Sequence, residues 1–276
     1  MKLVFTVTQK QRLTELGATG ELGERNFSSA AERDLSFKTI GRELIQRNKQ
    51  RLQRLRETTR RPASREMELL LVTILNQAGF VEVTTPTILA KGMLGKMGIT
   101  ENHPLWKQVR WLQNGNCLRP MLAPNLYQLM GYLGRVWPRP VRFFEIGQCF
   151  REESKGSKHL SEFTMLNLVE MGITGDTRAR LAELAELIMG GVGLTYRLVS
   201  EDSEVYGNTL DVMVDDIEIA SGTTGPHSLD ANWNIAENWA GLGFGLERMV
   251  MVKEGFHNIR RVGRSLIYLD GARLNL

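Results

Sequence analysis

The sequence predicts an α+β fold: an antiparallel sheet flanked by helices, with a small helical region at the N-terminus. Two observations carry the prediction. Strand-like runs come in hairpin pairs rather than alternating with helices, and there are more of them than a helical bundle needs. Positive charge is also confined to one end, since residues 1–62 carry 14 Lys and Arg against 7 Asp and Glu, while the rest carries 21 against 24. Pro62 and Ser64 therefore mark a boundary between a basic N-terminal region, 1–62, and a main domain, 63–276.

Composition narrows the class before any motif is read. With 42% apolar and 24% charged residues, the chain can bury a large core. No apolar run nears the roughly 20 residues that cross a bilayer, and the first residues are too polar for a secretory leader, so a cytoplasmic protein is expected. The two cysteines, Cys117 and Cys149, form no CxxC and have no nearby His, which argues against a disulfide framework or a zinc site and for two small buried thiols.

In order along the chain, Thr8–Leu16 and Ser28–Ile45 read as amphipathic helices, with Thr8 and Ser28 as N-caps and Gly17, Gly20 and Gly23 between them. Residues 46–61 then set Arg47, Lys49, Arg51, Arg54, Arg56, Arg60 and Arg61 against the single acid Glu57. That is either a solvated basic helix or a surface for RNA phosphates. Met67, Leu70, Leu71, Ile74, Leu75 and Ala78 fall at helical spacing before Gly79, a C-cap. Residues 80–89 alternate as a strand broken by Pro86. Residues 141–154 and 162–172 pair as a hairpin with a polar tip that contains Gly156. A helix spans 177–194 and ends at Gly190 and Gly191. Residues 210–222 form strands around an Asp215–Asp216 turn, and 241–256 opens with glycines and continues as an apolar helix.

This order resembles the signature motifs of the class II aminoacyl-tRNA synthetases. The helix, strand and Pro86 are similar to their first motif, the Arg151 hairpin to their second, and Gly243-Phe244-Gly245-Leu246-Glu247-Arg248 to their third. The resemblance implies the catalytic fold of that class and the attack of an amino-acid carboxylate on the α-phosphorus of ATP. Charge on the phosphates must then be neutralised, for which guanidinium forks and Mg²⁺ are well suited. It further implies Arg151 as the α-phosphate ligand, adenine held between Phe163 and Arg248, Glu153 accepting from the adenine amino group, and His159 and Leu160 ordering the ATP loop. Arg151 and Arg248 are the catalytic candidates. Glu218 and Ser221, three residues apart, are implied as Mg²⁺ ligands; strict alternation puts them on opposite faces, so a bulge at Ser221–Gly222 is expected.

The stretches 119–130, 150–168 and 205–213, with the glycine-led block, resemble the pyrrolysyl-tRNA synthetase family within that class. That family binds a long lysine derivative in a deep apolar pocket. The matching positions are Met121, Leu122, Ala123, Leu126, Tyr127, Met130, Val169 and Trp239. Asn167 is the polar side chain among them, implied to hydrogen-bond the acyl oxygen, and Tyr206 is implied to cap the pocket. Val169 stands where a cysteine is common, and Gly222-Thr223-Thr224 and Leu242 also depart from the family pattern, which bears on pocket shape. The sequence resembles the short form of the family, without a separate N-terminal tRNA-binding domain.

The expected activity is that of a homodimeric pyrrolysine–tRNA ligase that uses ATP and Mg²⁺ and takes pyrrolysine or an Nε-acyl-lysine analogue. A tRNA substrate gives the basic segment a purpose, so Arg51, Arg54 and Arg56 are its candidate contacts. The alternatives are a related enzyme charging phenylalanine and a non-catalytic RNA-binding paralogue; intact Arg151, Phe163 and Arg248 argue against the latter.

Overall fold

The computed structural model describes residues 3–18, 25–58, 61–152 and 159–276. Two helices come first, α1 (Val7–Leu16) and α2 (Ala30–Thr58). Thr6, rather than Thr8, starts α1: its hydroxyl accepts from the Gln9 amide and its own amide donates to the Gln9 side chain, so two end donors are satisfied reciprocally. Ser29, rather than Ser28, caps α2 by accepting from the Glu32 amide. The helix expected to Ile45 and the basic run after it form one continuous helix to Thr58, because no Gly or Pro interrupts residues 46–58. Phe5, Leu13, Leu16, Ile40 and Leu44 form a small core between the two helices, against which the C-terminal Leu276 packs.

After Pro62 comes α3 (Ala63–Gln77), whose end follows from Gly79. With φ at 81°, Gly79 lets its own amide reach Asn76 O and the Phe80 amide reach Leu75 O, closing the last turn. The expected strand over 80–89 is split in two. Its first part is β1 (Val81–Glu82) and its second, β2 (Ile88–Ala90), lies in a different sheet, because Pro86 between them has no N–H for a ladder.

There follow α4 (Lys91–Lys96), β3 (Asn116–Leu118), α5 (Ala123–Leu133), β4 (Val141–Phe150) and β5 (Glu162–Met171). β4 and β5 form the expected hairpin, in unbroken register from Val141 opposite Met171 to Phe150 opposite Glu162. Helix α6 (Thr177–Val192) continues through Gly190 and Gly191 to a left-handed cap at Gly193. Those two glycines do not terminate it. A Cβ on Gly191 would lie 2.5 Å from Ile74 Cδ1, so the missing side chain serves close packing on α3.

Four more strands follow: β6 (Arg197–Ser203), β7 (Gly207–Val214), β8 (Ile217–Gly225) and β9 (Trp239–Gly245), and then α7 (Leu246–Lys253). Residues 241–245, expected to open a helix, therefore end a strand. Short strands β10 (Tyr268–Leu269) and β11 (Ala272–Arg273) close the chain.

The main sheet has the order β1-β4-β5-β9-β8-β7-β6. Every pair in it is antiparallel except β1–β4. One face buries Phe144, Leu166, Leu168, Leu242 and Phe244 under α3, α6 and α7. The other carries Phe143, Val169, Met171 and Trp239 beneath α4 and α5. Each fully buried side chain of this kind contributes about 1.5–3 kcal/mol relative to exposure. Both cysteines are buried and free, as expected, and burial pushes the Cys117 thiol up to about 11 and the Cys149 thiol to about 12.

Candidate active site

A cavity of about 410 Å³ opens on the second face of the sheet, floored by β5, β8 and β9 and walled by α5. Its floor is low because Gly241, Gly243 and Gly245 alternate along the cavity side of β9, while Ala240, Leu242 and Phe244 turn into the core. A Cβ on Gly243 would stand 3.1 Å from both terminal atoms of the Asn167 amide. The glycine run is thus a requirement of the cavity rather than of a turn.

At one end are the polar candidates. Val212 pairs with Ala220 and Met213 with Glu218, so Ile219 is the extra residue of a bulge. The bulge lies between Glu218 and Ser221, not at Ser221–Gly222, and it turns both side chains into the same cavity. Arg248, at the start of α7, donates from Nη1 to Glu218 O at 2.9 Å and Glu218 Oε1 at 3.3 Å. Arg151, just past β4, donates from Nε to Pro120 O at 2.9 Å and lays its guanidinium 5.3 Å from the Phe163 ring centroid. Phe163, His159 and Leu160 line the same cavity. Glu153, with the rest of the hairpin tip from 153 to 158, lies outside the described residues.

Glu247 carried no expected role. It is buried, and both of its oxygens accept from the Thr164 amide, which ties the first turn of α7 to β5 beside Phe163. Burial raises its carboxyl pKa above the ordinary range.

Met121, Ala123, Leu126, Tyr127, Met130, Val169 and Trp239 line the apolar end. Leu122 does not; it is wholly buried at the start of α5, in the core behind the cavity wall. Asn167 also lines this end, and its Oδ1 is sealed from solvent without a hydrogen-bond partner. Such an atom is costly unless something in the cavity satisfies it.

Tyr206 sits at the tip between β6 and β7, where burial raises its phenol. Two histidines that the sequence did not single out grip that tip: His103 Nε2 meets Glu204 O at 3.3 Å and His227 Nε2 meets Tyr206 O at 3.0 Å. The signal was present for His103, which precedes Pro104 and accepts from the Leu105 amide as a helix-start cap.

Behind the apolar wall lies a buried ion pair. Arg119 Nη1 is 2.7 Å from Glu145 Oε1, with side-chain exposures of 4% and 2%. Arg119 Nε also donates to Gln148 O, Thr85 Oγ1 to Glu145 Oε2, and Asn125 Nδ2 to Thr85 Oγ1. This network fixes the loop leading into α5, and hence Met121 and Ala123, onto β4.

Of the basic candidates on α2, Arg54 and Arg56 are exposed. Arg51 turns inward, donating to Asp270 O at 2.6 Å, pairing with Glu254 at 2.8 Å and lying over Phe256.

Sheet, glycine floor and paired arginines are what a class II synthetase core needs, and residues 47–269 match the family model for tRNA synthetases class II core domain (F). The chain belongs to the class II aminoacyl-tRNA synthetases and is an aminoacyl-tRNA ligase. It is similar over its full length to pyrrolysyl-tRNA synthetase from Desulfitobacterium hafniense, with 50% identity, all of both chains covered and a TM-score of 0.94. A second structure of a pyrrolysyl tRNA synthetase from that organism gives 49% identity over all of this chain and 96% of that one, at a TM-score of 0.92. A threonine–tRNA ligase from Polynucleobacter necessarius subsp. necessarius (strain STIR1) is 33% identical over 96 residues, 34% of this chain. The matched part spans only 15% of that longer protein.

Proposed function

We infer that this chain is a pyrrolysine–tRNA ligase, which joins pyrrolysine to AMP and then transfers it to the 3′ end of a tRNA. The observation that carries the reading is the cavity itself: one end offers Arg151, Arg248, Glu218 and Ser221, the other is lined mainly by apolar and aromatic side chains, with the orphaned Asn167 oxygen among them. A secondary amide on the substrate side chain has one donor and one acceptor, which an Asn amide matches pairwise. Free lysine instead brings an ammonium that must be desolvated against apolar walls.

In the first step a carboxylate oxygen bonds to the α-phosphorus as the bond to pyrophosphate breaks. No side chain is assigned as a general base. Arg151 and Arg248 act by binding and orienting the phosphates and by stabilising charge as it develops. Phe163 and Arg248 hold the adenine, with His159, Leu160 and Glu153 in support. Mg²⁺ belongs to this reading, because the bulge gathers a carboxylate and a hydroxyl on one face and that cation takes few protein oxygens, filling the rest from water and phosphate. When bound, it neutralises phosphate charge.

A homodimer is part of the proposal, with exposed Leu69, Val81 and Ile88 on the α3–β2 side as a surface for it. So are a cytoplasmic setting, where tRNA and ATP meet, a division of the chain at Pro62, and tRNA contact through Arg54 and Arg56. The test is Arg151→Ala. Pyrophosphate exchange should fall by at least about a hundredfold while the circular dichroism spectrum is unchanged; near-normal exchange would sink the assignment.

A further inference from the structure

Asp230 is a buried acid that the pocket motifs do not include and that does not line the cavity. Its Oδ2 accepts from the His227 amide at 2.7 Å and from Trp239 Nε1 at 3.0 Å. The indole can reach it because residue 225 is glycine; a Cβ there would collide with Trp239 Nε1. Its Oδ1 is sealed and without a hydrogen-bond partner, and so is the Tyr127 hydroxyl. Burial above all, then Tyr206 and the Asp230 carboxylate, holds the Tyr127 phenol above its ordinary range. The Tyr127 ring stands edge-on to Trp239, with centroids 5.5 Å apart.

The same set reaches the cap. His227 Nδ1 accepts from the Leu229 amide at 3.1 Å, so that nitrogen carries no proton and Nε2 is the one that donates to Tyr206 O.

We propose that Asp230 is a positioning residue for amino-acid selection: its hydrogen bonds fix the indole of Trp239, against which the Tyr127 ring packs, and through His227 the backbone of the Tyr206 cap. The proposal rests on reading the apolar end of the cavity as the amino-acid pocket. A carboxylate that served only the short helical turn at Asp230–Trp233 would affect folding, and with it both substrates equally.

The test is pyrophosphate exchange with an Nε-alkoxycarbonyl-lysine, measured for the unmodified protein, Asp230→Ala, Asp230→Asn and His227→Ala. Asp230→Ala should raise the amino-acid KM about tenfold or more and leave the ATP KM within about twofold. Asp230→Asn, which keeps an acceptor for the indole and the amide, should recover most of the loss. An Asp230→Ala enzyme with unchanged amino-acid KM, or with both KM values raised alike, overturns the proposal. If that variant does not fold, His227→Ala, which removes the donor to Tyr206 O, decides: the amino-acid KM should rise about threefold with the ATP KM within about twofold, and no change overturns the proposal. Absence of exchange by the unmodified protein would remove the pocket reading itself, and the proposal with it.

Discussion

Arg119→Met isolates the buried ion pair that seats α5. The substitution removes the cation but leaves the Glu145 carboxylate 1% exposed, with Thr85 as its hydrogen-bonding neighbour. Breaking one side of such a pair costs about 3–5 kcal/mol, because an uncompensated charge stays buried. At roughly 2.1 cal/mol/K per residue, a chain of 276 residues has an unfolding entropy of roughly 0.6 kcal/mol/K, so the thermal midpoint should fall by roughly 5–9 °C. Removing both charges, in Arg119→Met with Glu145→Leu, should restore the midpoint to within about 3 °C, since an apolar pair of similar volume replaces an expensive ionic one. Thermal unfolding followed by far-ultraviolet circular dichroism measures both. A single variant within about 2 °C of the unmodified protein, or a double variant as unstable as the single, would refute the reasoning.

Three further outcomes are expected. Gly243→Ala places a methyl group 3.1 Å from the Asn167 amide and should raise the amino-acid KM about fivefold, an overpacking cost of about 1 kcal/mol, with little change in the ATP KM. Glu170 is pushed up by burial but more strongly down by Arg180 and Arg142, so its net shift is downward. Its stabilisation is then complete above the ordinary Glu value of 4.5 and lost as acid protonates it, and Glu170→Gln should flatten the acid limb of a stability profile from neutral pH to about pH 3. Replacing Arg54 and Arg56 by Gln should raise the tRNA KM and shrink its salt slope by about one per lost phosphate contact, leaving pyrophosphate exchange untouched. Unchanged aminoacylation kinetics would return that face of α2 to plain solvation.

The sheet was legible wherever one face is buried and the other is not. β4 and β5 alternate because they separate two cores, and they pair as the expected hairpin. β6 escaped notice because it is an exposed edge strand, Arg-Leu-Val-Ser-Glu-Asp-Ser, with no alternation to read. Glycines misled twice. Gly190 and Gly191 read as a helix end, yet the helix runs through both and Gly191 serves helix–helix approach; Gly241 and Gly243 read as a helix start but form a cavity floor. At Gly191 and Gly243 the neighbour that excludes a side chain, Ile74 or Asn167, is distant in sequence. The motif residues Arg151, Phe163, Glu218, Ser221 and Arg248 converge on one cavity as expected, whereas Asp230 and His227 act through contacts that no local spacing announces.

The most direct test of the account is ATP–pyrophosphate exchange by the purified protein with pyrrolysine, an Nε-acyl-lysine carbamate, lysine and phenylalanine supplied separately. Exchange with the first two alone is the predicted result, and it would tie activation to the Asn167 end of the cavity. Exchange only with phenylalanine would keep the class and contradict the substrate, and none with any of the four would contradict the ligase itself.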